Sequence, residues 1–177
     1  MIPERSREEG THALLYVHLS GLEPVKRQVP TAILARLGRS YQGNWARNTV
    51  LTQRWAELMT LLGREGVGVI TLKGMALIHT VYPEIGLRPM ADIDLLIQAA
   101  DLSTVKPALR AAGYRTPGGA MEGNEAYRGY LHFVRDATVI DLHWKLGHYT
   151  PFEGIVRIDH GGLWARAHNM AIGDAEG

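Results

Sequence analysis

The chain has 177 residues, enough for one domain with a true core, since a chain of this length buries roughly two-thirds of the surface it would expose unfolded. Its 19 Lys and Arg against 18 Asp and Glu leave a formal charge of +1, which excludes a global field that would draw nucleic acid or anionic membrane. With no cysteine, disulfides, thiolate catalysis and cysteine-based zinc sites are excluded as well.

Residues 14–19 (LLYVHL) predict a short first helix ended by Gly21 and Pro24. A second helical stretch starts near Pro30. In it Ile33, Leu34, Leu37 and Tyr41, then Val50, Leu51, Trp55, Leu58, Met59 and Leu62, recur at three- and four-residue steps, the spacing of a packing face. Gly43 is expected to interrupt or weaken this stretch, and Trp45 and Trp55 to serve helix packing. Residues 67–72 (VGVITL) read as a buried strand, and residues 75–81 as a short helix opening just after Gly74. Residues 91–97 read as a strand whose period of two sets Asp92 and Asp94 on one face and Ile93, Leu95 and Ile97 on the other.

Asp101 and Ser103 are candidate caps for a helix through Ala112, closed by Gly113, with Val105, Leu109 and Ala112 facing a sheet and Pro107 tolerated near the first turn. Residues 116–124 are glycine-rich and polar, a surface loop. A β-hairpin follows, with strands 130–135 and 139–144 and a turn at Asp136-Ala137-Thr138. It puts Asp141 on one face with Val139 and His143.

Two of these features carry chemistry. At a strand-to-helix turn such as Lys73-Gly74, unpaired backbone N–H groups and the helix dipole attract phosphate, glycine admits it closely, and the lysine neutralises a β- or γ-phosphate. Eighteen residues after Gly74, the acids Asp92 and Asp94 face the same way, which suits a hard divalent cation. A solvated strand edge is the plain alternative. Asp141, inside an apolar run, needs a partner because an unpaired buried carboxylate is costly. Arg88 is placed either to grip a triphosphate bidentately or to form an ion pair that fixes the Asp92 loop. His143 serves either substrate or metal, or makes a structural hydrogen bond. Tyr82-Pro83 and Trp144 either wall a base or belong to the core. The eight histidines lack HExxH-type spacing, which argues against zinc.

The stretch LKGMALIHTVYPEIGLRPMADIDLLI, with VIDLHWKL after it, resembles the uncharacterised nucleotidyltransferase family of the DNA polymerase beta superfamily, over residues 14–164. Lys73-Gly74 stands where the superfamily usually has glycine-serine. The resemblance implies an α+β, polymerase-beta-like fold: a short mixed β-sheet with flanking helices and an N-terminal helical layer. The expected regions are a helical 1–65, a nucleotidyltransferase core 66–165 and a polar tail 166–177, without the C-terminal helical domain of longer members. That leaves a bare surface and an expectation of self-association.

The implied reaction is metal-dependent transfer of a nucleoside monophosphate from an NTP, ATP by preference, to an acceptor hydroxyl with release of pyrophosphate. Asp92, Asp94 and Asp141 are the implied catalytic acids and ligands of magnesium or manganese, Asp141 also serving the attacking hydroxyl. Lys73, Gly74, Arg88 and His143 are the implied nucleotide contacts. The acceptor stays open among a small molecule, a protein side chain and an RNA end, the neutral charge disfavouring nucleic acid. Two rival readings are a silent nucleotide-binding or scaffold module and a toxin-like modifier of protein or RNA. No stretch approaches the ~18 apolar residues of a membrane span. Residues 1–9 carry charges where a signal peptide needs an apolar run, so the expected location is cytoplasmic.

Overall fold

A computed structural model describes residues 10–23, 28–117, 129–147, 158–169, 171–172 and 175–176. The glycine-rich loop expected at 116–124 lies outside the described residues beyond Pro117, as does Pro24. In chain order the elements are α1 (His12–Gly21), α2 (Thr31–Arg64), β1 (Val69–Thr71), α3 (Lys73–Thr80), a 3-10 turn (Ile85–Leu87), β2 (Ile93–Ile97), a second 3-10 turn (Ala99–Asp101), α4 (Leu102–Ala111), β3 (Tyr130–Arg135), β4 (Thr138–His143), α5 (His160–Ala165) and the two-residue strands β5 (Ala171–Ile172) and β6 (Ala175–Glu176). The architecture is α+β, with a short mixed sheet of four strands in the order β1-β2-β4-β3. The chain divides into two units, residues 1–52 with 74–90 and residues 53–73 with 91–177.

In the first unit, Ala13 and Leu37 are buried, and His12 meets Ser40 through Nδ1 and Oγ at 3.1 Å, which fixes α1 against the start of α2. Asn48 is its deepest polar residue. Fully buried, it donates from Nδ2 to the carbonyls of Ile85 (2.5 Å) and Arg88 (2.8 Å), while Asn44 donates to that of Gly86 (3.2 Å). Two asparagines thus supply donors to main-chain carbonyls in and just after the 3-10 turn. Gly86 is required there, because a Cβ would lie 2.7 Å from the Tyr41 ring. Replacing Asn48 with alanine orphans both carbonyls, and we expect a loss of about 2 kcal/mol in urea unfolding. An unchanged midpoint would show that this turn is held by other means.

The second unit contains the sheet. β2 is central and buried at all five positions, pairing antiparallel with β1 and parallel with β4. β3 and β4 form the expected hairpin, but around the two-residue turn Asp136-Ala137, with Asp136 at φ +54°, so β4 begins at Thr138 instead of Val139. Trp55 is fully buried and donates from Nε1 to Thr71 Oγ1 at 2.8 Å, tying the second half of α2 to β1. Arg135 stacks 4.6 Å over the Tyr114 ring and donates to the Ala112 carbonyl at 2.9 Å, tying the end of α4 to β3. Val105 and Leu109 of α4 are buried, as expected.

Four expectations are corrected. α2 is one helix of 34 residues, and Gly43 does not interrupt it, since the roughly 1 kcal/mol cost of a helical glycine is small against the packing of so many turns. Trp45 is half exposed and not part of the core. Asp101 makes no capping hydrogen bond to α4, whose start is instead preceded by the 3-10 turn. Pro107, the sixth residue of α4, falls inside the helix, beyond its first turn.

Candidate active site

The site is built on β2 and β4. Their parallel register sets Asp94 directly beside Asp141, and both carboxylates and the His143 imidazole offer a ligand atom within 4.8 Å of one another. Asp94 is buried, Asp141 partly so. Asp94 Oδ1 accepts from Lys73 Nζ at 2.5 Å and from His143 Nε2 at 3.2 Å. Burial by itself would raise the Asp94 pKa, but the hydrogen bonds from His143 and Lys73, with their charges, hold it below the usual carboxylate range. The same bond to Asp94 raises the Lys73 pKa.

Lys73 sits at φ +46° as the first residue of α3, a left-handed conformation that costs a non-glycine residue about 1 kcal/mol or more. The strained residue of the Lys73-Gly74 pair is therefore the lysine. Gly74 has a different reason to lack a side chain: a Cβ there would stand 2.8 Å from Met90 Sδ. Arg88 Nε is buried without a hydrogen-bond partner, and Arg88 forms no ion pair among the described residues.

Asp92 precedes β2 and stands outside the 4.8 Å group. Burial, then the negative charges of Asp94 and Asp141, push its pKa up, with Lys73 opposing only in part. An acid whose folded pKa is raised loses stability as pH climbs from the ordinary carboxylate value through the raised one. Asp92→Asn is therefore expected to raise the thermal midpoint of metal-free protein at pH 7 and to leave it unchanged at pH 3. A lower midpoint at pH 7 would show that Asp92 has a stabilising partner.

Divalent cation chemistry fits these residues. Two carboxylates, the hard ligands magnesium and manganese favour, converge with an imidazole whose Nδ1 is buried and has no hydrogen-bond partner. The crowding of Asp92, Asp94 and Asp141 leaves negative charge that Lys73 alone does not match. Sequence reasoning brought Lys73, Asp94, Asp141 and His143 to one place but missed His132, whose Nδ1 lies 2.6 Å from Asp141 Oδ1.

The sequence matches the profile of the family described as "Uncharacterised nucleotidyltransferase" over residues 4–176. The chain belongs to that family. This nucleotidyltransferase is also similar, at 12% identity and a TM-score of 0.44, to the solution structure of the antibiotic-resistance factor ANT(2'')-Ia, over 55% of this chain and 48% of that one. It thus spans about half the length of that protein, and so distant a likeness bears on neither substrate nor mechanism. No curated protein matches the nucleotidyltransferase. No helix among its described residues is long and apolar enough to cross a membrane.

Proposed function

We propose that the protein is a metal-dependent nucleotidyltransferase that moves a nucleoside monophosphate from an NTP, ATP by preference, to an acceptor hydroxyl in the cytoplasm. The observation that carries this reading is the side-by-side placement of Asp94 and Asp141 on β2 and β4, with His143 completing the group. Asp94, Asp141 and Asp92 would hold magnesium or manganese. Such a cation, when bound, supplies positive charge to the phosphate oxygens and lowers the pKa of the attacking hydroxyl.

Every other step falls to the chain's own groups. Asp141 takes the hydroxyl proton; the acceptor oxygen forms a bond to the α-phosphorus as the bond to pyrophosphate breaks. His143 holds Asp94 in place through its hydrogen bond. Lys73, released from Asp94, neutralises the outgoing phosphates, and Gly74 and Arg88 contact the same triphosphate. In this reading residues 1–65 are the N-terminal helical region, 66–165 the nucleotidyltransferase core and 166–177 a polar tail.

The test is a screen of the four labelled NTPs with magnesium or manganese, using cell extract as acceptor. Transfer of label that depends on the cation and disappears in Asp141→Asn is the expected result. NTP binding without pyrophosphate release under every condition would replace this reading with that of a silent nucleotide-binding module.

A further inference from the structure

We propose that His132 is a positioning residue for Asp141, an inference that rests on the nucleotidyl-transfer reading. The register of the sheet carries it. Asp94 on β2 lies opposite Asp141 on β4, and Asp141 lies opposite His132 on β3, so the three form one transverse row across the sheet. Lys73 closes the buried end of that row at 2.5 Å from Asp94, and His132 closes the other at 2.6 Å from Asp141.

A carboxylate oxygen accepts, so the ring nitrogen in this contact donates: Nδ1 of His132 carries a proton. With Oδ1 engaged, the carboxylate of Asp141 is fixed in rotation, and Oδ2 is the oxygen left for a cation or for the acceptor's proton. Tyr130 steadies the imidazole. Its ring stands edge-on to His132 at 5.0 Å and tilted against His143 at 5.8 Å, so one aromatic side chain braces both histidines of the row's neighbourhood. An exposed His–Asp pair serving only the hairpin would contribute little to stability and nothing to the chemistry. Here the aspartate also faces Asp94 within the ligand group, which makes its orientation matter.

The test compares His132→Leu, which removes the donor, with His132→Asn, whose amide nitrogen substitutes for Nδ1. Manganese affinity is measured by electron paramagnetic resonance without nucleotide, kcat and KM for ATP are measured in parallel, and circular dichroism confirms folding. His132→Leu should weaken manganese binding about tenfold or more and lower kcat by a similar factor with KM unchanged, and His132→Asn should recover most of both. Nitrogen-15 spectra of metal-free wild type should show the Nδ1-protonated tautomer at His132, lost in Asp141→Asn.

Wild-type manganese affinity and kcat in His132→Leu, no recovery in His132→Asn, or the ordinary Nε2-protonated tautomer would each overturn the proposal. Failure of the underlying reading has its own signature: wild type and Asp94→Asn would bind manganese equally, whatever His132 does.

Discussion

Asp94→Asn is expected to abolish nucleotidyl transfer and at the same time to destabilise the protein, in contrast with Asp92→Asn. Losing a ligand carboxylate from the centre of the site should lower activity by more than about a hundredfold, beyond the range typical of second-layer partners. The stability loss follows from the pair it breaks. Treating Asp92 and Asp94 as two crowded like charges suggests that removing either relieves repulsion. The structure separates them: Asp94 is buried against Lys73 and His143, and only Asp92 is left carrying the repulsion. Because Lys73 is 59% exposed, its half of the pair is solvated, and the loss should be about 1–2 kcal/mol, below the 3–5 kcal/mol of a fully buried pair. Asp94 has a depressed folded pKa, so its contribution is present above the ordinary carboxylate pKa and is lost as pH falls through the depressed value. Chemical unfolding of wild type and mutant should therefore differ at pH 7 and converge in strong acid. A mutant as stable as wild type at pH 7 would show that the Lys73 and His143 contacts do not hold Asp94 in solution.

Lys73→Met should change two affinities in opposite directions. In the structure the ammonium occupies an oxygen that a cation would need, so its removal should tighten manganese binding in the absence of nucleotide, by about tenfold for one charge-assisted competitor. Nucleotide binding should weaken by a comparable factor, since the lysine is then missing from the triphosphate. Calorimetric titrations of metal alone, and of ATP with metal, separate the effects. Weaker metal binding in the mutant would show that Lys73 does not compete for Asp94, and unchanged ATP affinity would remove it from the triphosphate.

The chemistry-bearing segments were legible because each follows a short-range rule. Alternation placed Asp94 and Asp141 on strands, and Gly74 marked the strand-to-helix junction. What escaped were relations set by register or by distance along the chain. A turn at Asp136-Ala137-Thr138 places Phe133 opposite Asp141; the two-residue turn that forms instead moves the partner by one residue to His132. That slip hid a histidine of the site. The signal lay in the ability of Asp136 to adopt positive φ, which permits the tighter turn. The bond between Lys73 and Asp94, 21 residues apart, was hidden by the expectation that a lysine beside glycine awaits phosphate. Asn48 gave no local signal, because a polar residue inside a long amphipathic helix reads as solvated, and only the return of residues 85–88 to it shows why it is buried.

The most direct measurement of the central claim is an anomalous difference map from crystals grown with manganese and a non-hydrolysable ATP analogue. The expected result is a manganese peak coordinated by Asp94 and Asp141, with Lys73 moved from Asp94 onto the triphosphate. Analogue bound with no manganese at these carboxylates, and Lys73 still seated on Asp94, would contradict it.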